Sequence, residues 1–515
     1  MSRRESGTRE LEQLLLARQV PSERIILPSG RVVPAPGRTV LPSGRVVPAS
    51  GRAGALARVP ESSRGVAPIE DWAGVVSFDP SLYFRPQDQT ELEGFLKLIA
   101  LGTFKNKRIR APGGLHSCSR ILASDAILDT RDLPKELAFS DSDTKVTVSS
   151  NWKLHDFLVE LSTRNKSLEA TGGTDEQTLA GLLTTNTAPA SSRFALFDLL
   201  EWVEYLTYDA SQNVVLKRVT KGEPEFSSVV CSLGALGIIT KMQFSLIDEP
   251  FYETSQSIVP LDRVLADVEA TSKLFDFWRI DWLPDLEEGL LWTAKQIPRS
   301  PEVLNGDYRP DEAVNVLQFI FKLWDLFNIG DTGPGPLLVP LQRMFYRVMA
   351  NNYDPLEATG PLRNMIPVDR RMPLRVAMAE WSFAPADLSN VRKLCKAYFR
   401  SKGWPNLPIE IEMTKTDSYH LSPWNWPGLT SIVKFNFMYL TDVCTNQAER
   451  NRIDTHLRGL WKHLTDAGIQ FKAHWGKINF MDHGFVHQHY PGCEQFKQLV
   501  HPLFMNSYLD DRLHP

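Results

Sequence analysis

The chain is poor in cysteine. Its five thiols, Cys118, Cys231, Cys395, Cys444 and Cys493, are odd in number and never fall at Cys-x-x-Cys spacing. That excludes a disulfide framework and a cysteine-built zinc site, and it reads as reduced thiols in a cytoplasmic protein. No metal site is expected. Long apolar runs are missing too: none approaches the ~20 residues a membrane-spanning helix needs. No secretory apolar stretch with a small-residue cleavage site is visible. Glu5, Glu10 and Glu12 speak against an acid-poor mitochondrial leader, although a targeting or docking role for the amino-terminal tail stays open. Net basic charge is absent as well. At −4 the chain does not suit a general nucleic-acid binder.

What is present is ordinary globular material, 43% hydrophobic and 23% charged over 515 residues, enough for two or three domains. The charge is unevenly placed. Residues 1–66 carry eleven arginines, no lysine and five glutamates, so a basic tail precedes an acidic body. Within that tail Leu27-Pro-Ser-Gly-Arg-Val-Val-Pro34 returns as Leu41-Pro-Ser-Gly-Arg-Val-Val-Pro48. Proline at both ends excludes helix, and two copies are too few for a solenoid. A disordered tail is expected over 1–66.

From Pro68 the pattern alternates. A helix with Leu92, Phe95, Leu96 and Ile99 on one face, capped by Thr90 and closed by Gly102, leads to a short strand at 108–110. Strand-like runs follow at 126–129 and 145–148, then a helix presenting Leu154, Phe157, Leu158 and Leu161. Beyond Phe251, strands at 275–282, 289–295, 374–383, 408–413 and 432–440 alternate with helices at 262–274, 386–401 and 446–467. Residues 313–352 read as largely helical. The class is α+β.

Three stretches carry candidate chemistry. Arg110-Ala111-Pro112-Gly113-Gly114-Leu115-His116-Ser117 is a glycine turn whose backbone N–H groups can meet a ligand, with a histidine directly after it. Alone such a stretch is more often a plain turn with a structural histidine. The run from Ala170 to Thr187 is built of small and hydroxyl residues, suited either to lie along a cofactor or to pack as a tight helix on a sheet. Glu410 and Glu412 stand two apart on a strand and so share a face. They are either a proton-transfer pair or a solvated strand face.

Taken in order, these stretches resemble the FAD-linked oxidases with a PCMH-type (vanillyl-alcohol oxidase-like) domain, and most of all the aldonolactone and alditol oxidase group. Gly113 and His116-Ser117 match the Gly-x-Gly-His-Ser loop of that family. Gly172, Asp175, Gln177, Thr178, Ala180 and Gly181 match its second flavin segment. Gly234, Gly237 and Ile239 match a later glycine bend. Glu410 matches the glutamate of a Pro-x-Glu-x-Arg motif, and His474-Trp475-Gly476-Lys477 is an intact hallmark. Asn506 and Tyr508 match the family's close.

The resemblance implies FAD held by Gly113, Gly114, Ser117, Asp175, Thr178, Gly181, Thr187, Gly237 and Ile239, and tethered covalently through His116. It implies Lys477 and Glu410 as the catalytic pair, with Glu412 and Trp475 at the substrate. It implies a PCMH-type FAD domain of two subdomains over 67–250, a sheet-plus-helices substrate cap over 251–480, and a segment 481–515 returning to the FAD domain. Four departures stand out. Leu115 replaces a glycine, Asn186–Ser191 replaces a Gly-Thr-His-Gly run with Thr187 alone kept, His501 replaces an acid, and Glu412 replaces an arginine, which reverses local charge. No cysteine lies in 170–191, so a second covalent flavin link is not implied.

The expected activity is FAD-dependent oxidation of a hydroxyl-bearing carbon in a small sugar-lactone or polyol-like molecule, by hydride transfer to flavin N5, with oxygen or another acceptor regenerating the flavin. A tailoring oxidase of a specialised metabolite on the same fold is one alternative. A catalytically inactive binding protein is another.

Overall fold

The computed structural model describes residues 68–515 apart from 105–106, 285, 304–342, 345–356, 367–374, 404, 406 and 442–446. Of residues 1–67 it describes short strands alone. Two pairs fall on the repeat, Ile25-Ile26 with Val32-Val33 and Arg38–Val40 with Val46–Pro48, both antiparallel. The rest of the expected disordered tail, Cys444 and most of the stretch 313–352 lie outside the described residues.

Two small sheets precede a large one. In the first, Leu82–Phe84, Ala126–Leu128 and Ile109–Arg110 run parallel. Parallel neighbours need a crossover, and helix Gln89–Ala100 supplies it, burying Leu92, Phe95, Leu96, Leu98 and Ile99. Its cap is Asp88, not the expected Thr90. Asp88 accepts from the Glu91 N–H at 2.8 Å while Glu91 accepts from the Gln87 N–H at 2.9 Å. The carboxylate wins because this reciprocal pairing quiets N–H groups at the helix start.

The second sheet is antiparallel throughout, in the order Leu137–Phe139, Lys145–Ser149, Ile238–Ser245, Leu200–Tyr208, Val214–Thr220. Helix Leu154–Ser162 buries its predicted face of Leu154, Phe157, Leu158 and Leu161, with Phe157 ringed against Phe244 of the sheet. A helix expected at 262–274 is instead two short ones, Leu261–Leu265 and Val268–Ser272. Asp267 breaks it by capping the second through the Ala270 N–H.

The third sheet has eight strands, in the order Glu357–Pro361, Phe251–Pro260, Glu288–Ile297, Phe277–Trp282, Ile409–Lys415, Ser431–Leu440, Val376–Phe383, Lys472–Ala473. Strand side chains alternate between faces, and here the alternation is strict. The row Ile280, Ile411, Phe435, Trp381 points to one face and is fully buried. Helices Leu388–Lys402 and Gln447–Asp466 cover that face, with Trp461 edge-on to Trp381 at 5.2 Å. The rows on either side point to the opposite face. One reads Arg279, Glu412, Lys434, Ser382, and the other Asp281, Glu410, Asn436, Glu380. A polar sheet face is thereby turned toward the first two sheets.

The carboxyl-terminal segment closes the structure. The Asn506 amide donates to the carbonyls of Arg120, Ile121 and Ala123, and Arg108 pairs with Asp510. Among the described residues no helix is long and apolar enough to cross a membrane. The four described cysteines, Cys118, Cys231, Cys395 and Cys493, are buried free thiols.

Candidate active site

Two clefts meet at Gln177, which lines both. The first, about 840 Å³ to its open mouth, runs between the two small sheets. Its walls include Gly113, Gly114, His116, Ser117, Thr178, Gly181, Gly237 and Ile239. Glycine is required at several of these points. A Cβ on Gly113 would sit 2.5 Å from the Thr178 hydroxyl, and one on Gly114 would crowd the Glu176 carbonyl and the His116 ring. Gly237 has φ +154° and lies against the Leu206 carbonyl. These contacts let backbone line the cleft where side chains would fill it.

Leu115, which stands where the resembling loops have glycine, keeps the glycine-like backbone at φ +59°. Its carbonyl is held by the Trp72 N–H at 2.8 Å, and the Trp72 ring lies 5.4 Å from that of His116. So the departure at Leu115 changes the side chain and not the turn.

A buried arginine not foreseen as a site residue also lines the first cleft. Arg110 donates to the carbonyls of Phe504 at 2.8 Å and of Leu233, while its Nε–H has no partner. Burial lowers its pKa to about 10, so it stays charged. The Gln177 side-chain oxygen is likewise buried without a partner. A cleft with backbone walls, an unspent guanidinium N–H and an unspent amide oxygen fits a dinucleotide with phosphates and a hydrogen-bonding ring.

Two loops from opposite ends of the chain are fastened together beside His116. The Cys118 N–H donates to the Gly476 carbonyl at 2.7 Å, and the Ser119 hydroxyl to the Trp475 carbonyl at 2.7 Å. Lys477 emerges from this junction into the second cleft. Among the described residues its ammonium has no carboxylate partner. Burial, and then the Lys477 charge, push the His116 pKa down to about 4, so the imidazole is neutral at ordinary pH. His474, fully buried, is driven well below its usual value by burial first and by Lys477 and Lys434 after it. Its Nδ1 accepts the Gly476 N–H at 3.1 Å, which holds the turn before Lys477.

The second cleft, about 780 Å³, lies between residues 171–190 and the polar face of the large sheet. Thr187, Glu410, Glu412 and Lys477 all line it. Arg279, Lys434, Glu380 and Asn436 join them, none of which the sequence had marked. Arg279 Nη1 is 3.5 Å from Glu410 Oε1, and Asn436 donates to the other Glu410 oxygen at 3.0 Å. Lys434 is 2.8 Å from Glu412 and 3.7 Å from Glu380, and donates to the Ala188 carbonyl at 3.1 Å. Burial alone would depress the Lys434 pKa, but Glu412 and Glu380 outweigh it and raise it. The expected reversal of charge at Glu412 is therefore answered within the sheet. Phe277 and Trp292 add an aromatic wall.

Two expected site residues line neither cleft. Asp175 is fully buried, with its carboxylate 3.0 Å from His155 Nδ1, where it pins the loop to helix Leu154–Ser162. Trp475 is fully buried, donates its indole N–H to Leu421 at 2.7 Å and packs on Tyr490. It supports the Lys477 turn from beneath. Asn186, the first residue of the departing segment, donates to Asp417 and Ser422 at 2.8 Å each. Burial raises the Asp417 pKa to about 6.

Metal-ligating types also meet away from both clefts, at His487, Cys493 and Glu494. There Glu494 already takes the Lys497 ammonium at 3.2 Å.

Comparison with known proteins bears on this geometry. The D-arabinono-1,4-lactone oxidase family matches residues 242–511. D-arabinono-1,4-lactone oxidase of Candida glabrata is 25% identical over 228 residues, 43% of this chain and 42% of that protein. A long-chain alcohol oxidase from an uncultured marine euryarchaeote is 31% identical over 208 residues, 39% of this chain and 42% of that one. The matched region thus spans about two fifths of the length of these relatives. Among solved structures, cholesterol oxidase from B. sterolicum superposes with a TM-score of 0.69 at 13% identity, over 88% of this chain and 99% of that one. The fold is thus the α+β, PCMH-type FAD-binding fold. With just over half of its residues matched by the family, the chain belongs to the D-arabinono-1,4-lactone oxidase family.

Proposed function

We propose that the protein is an FAD-dependent oxidoreductase that oxidises a hydroxyl-bearing carbon of a small polyhydroxylated molecule, a sugar lactone or polyol. The observation that carries this reading is the polar sheet face that forms the wall of the second cleft. Six of the side chains lining it, Arg279, Glu380, Glu410, Glu412, Lys434 and Asn436, sit in two adjacent cross-strand rows. An apolar alcohol or sterol would take water from such groups without offering hydrogen bonds in its place, at a cost of several kcal/mol. A polyol offers them hydroxyls, and its C–H faces suit Phe277 and Trp292.

FAD would lie along the first cleft, where it would supply the hydride acceptor. Gly113, Gly114, Thr178, Gly181 and Gly237, which line that cleft, would hold it by close backbone approach. Glu410, held from two sides by Arg279 and Asn436, receives the substrate hydroxyl proton. Lys477 offers an ammonium to negative charge developing where the clefts meet. The two electrons removed from the carbon leave with oxygen or another acceptor. His116, neutral and beside the junction, presents a nucleophilic nitrogen for a covalent link to the flavin, which would keep the cofactor from being lost.

Anaerobic mixing with neutral lactones, alditols, long-chain alcohols and sterols tests the reading. Lactones or alditols should bleach the visible flavin band. Bleaching by long-chain alcohols or sterols alone would overturn it. Acid-precipitated protein should retain flavin fluorescence in the pellet, and His116→Ala should release it to the supernatant. Wild-type pellets without fluorescence would remove the covalent link while leaving the activity to stand.

A further inference from the structure

We infer that the cleft between helices Gln447–Asp466 and Ser507–Leu513 is a further binding site, in which converging arginines hold a soluble, phosphate-bearing small molecule. It shares no lining residue with the two clefts above. The inference therefore goes beyond the proposed oxidation and does not rest on it.

Convergence of charge carries the inference. The cleft encloses about 1180 Å³ to its open mouth, more than either of the other two. Arg450 and Arg458 line it from the first helix, Arg512 from the second, and Arg120 from the turn Arg120–Leu122. Three separate parts of the chain thus bring four guanidiniums to one place. Among the described residues, Asp454 and Asp511 are the acids lining it. Like charges gathered in this way repel one another, and two acids do not balance four cations. A bound phosphate dianion would.

The way each arginine is held points in the same direction. Arg512 lies over the Tyr508 ring at 3.7 Å and donates to the Tyr508 carbonyl at 2.9 Å. Arg458 lies over the Phe480 ring at 4.2 Å, with Asp454 at 3.3 Å one turn before it. Arg450 donates to the Gly74 carbonyl, and Glu70, 4.0 Å from it, sits closer to Arg375 at 3.4 Å. Arg120, exposed, makes no ion pair among the described residues. Rings and carbonyls fix a guanidinium without cancelling its charge. A planar N–H fork held that way is ready to take phosphate oxygens two at a time.

Unspent polar atoms lie at the same place. The Nε–H groups of Arg450 and Arg512 are buried without partners, and so is the side-chain oxygen of Asn479. Buried polar atoms are ordinarily paired, so a group of unpaired ones marks a place for a missing partner. Val75, Val76 and Ile478 add an apolar wall, which suits an occupant with an organic part beside its phosphate.

Calorimetry on the flavin-loaded full chain tests this, with phenyl phosphate and inorganic phosphate as probes. Loading keeps the first cleft filled. Phenyl phosphate should bind, at least about threefold more tightly than inorganic phosphate. Arg450→Gln and Arg512→Gln should each weaken it at least about fivefold, by loss of a charged hydrogen bond. Asp511→Asn, which removes an acid from the cleft, should tighten it about twofold. Arg452→Gln, on the same helix but outside the cleft, should leave it unchanged. Arg450 also fastens Gly74, so a melt of each variant reports its folding. Arg458→Gln, whose side chain is largely exposed, supplies a variant that disturbs no buried contact and should weaken binding about threefold.

Absence of phenyl phosphate binding would overturn the inference. So would binding that Arg450→Gln, Arg458→Gln and Arg512→Gln all leave unchanged. Capture by phosphatidylcholine vesicles carrying phosphatidic acid, with both soluble probes unbound, would overturn it in favour of a lipid headgroup.

Discussion

Replacing Lys434 by methionine probes the buried charge ladder at its most enclosed point. The Lys434 side chain is only 3% exposed, and its ammonium lies 2.8 Å from Glu412 and 3.7 Å from Glu380. At an effective dielectric near 20 those contacts amount to about 6 and about 4 kcal/mol of attraction, offset by the cost of dehydrating three charges. Removing one partner forfeits the attraction and leaves two carboxylates dehydrated, so the net loss should be about 3–5 kcal/mol. The loss should register as a fall in melting temperature of about 3–5 °C.

The double variant Lys434→Met with Glu412→Gln removes the stranded charge with its partner. It should recover about 2 kcal/mol of the sum of the single effects. Urea midpoints and thermal melts of the flavin-loaded protein measure both quantities. Because Lys434 is raised above its unfolded value of 10.5, its contribution is complete at neutral pH and fades only in strong alkali. A loss below about 1 kcal/mol, or strict additivity in the cycle, would refute the coupled ladder.

Three further outcomes follow. Leu115→Gly should stabilise the protein by up to about 1 kcal/mol, because glycine tolerates φ +59° where leucine is strained, and a melt at fixed pH reads it; a lower melting temperature would contradict the strain. Glu410→Gln should lower kcat by at least about a hundredfold while the flavin stays bound and reducible by dithionite; an unchanged kcat would remove Glu410 from proton transfer.

Stability should fall as pH drops from about 6.5 to 4. His116 and His456 are each held near 4 by burial, so the unfolded chain takes up protons that the native state refuses, about 3 kcal/mol apiece. Asp417, raised to about 6, works in the opposite direction and offsets about one of them. A melting temperature independent of pH across that window would contradict the buried neutral histidines.

The parts of the site legible in sequence are those whose residues are contiguous. The His116 loop, the run through Thr178 and Gly181, and the turn carrying Lys477 are each short motifs in which geometry follows from the local chain. Glu410 and Glu412 were readable because strand alternation puts both on one face. Arg279, Lys434 and Asn436 were not, since each reaches the cleft only through pairing of strands more than a hundred residues apart for Arg279, and by register for the others. Asp175 and Trp475 show the opposite limit. A motif marks a loop, but which of its side chains turn inward depends on partners elsewhere, His155 for one and Leu421 for the other. The cap at Asp88 was within reach, because Asp-x-x-Glu is itself a signal at a helix start.

The most direct test of the central claim is the visible spectrum of the purified chain before and after anaerobic addition of D-arabinono-1,4-lactone. The account predicts a yellow protein, or one made yellow by added FAD, whose flavin band is bleached by the lactone. A colourless polypeptide that cannot be loaded with FAD would contradict it.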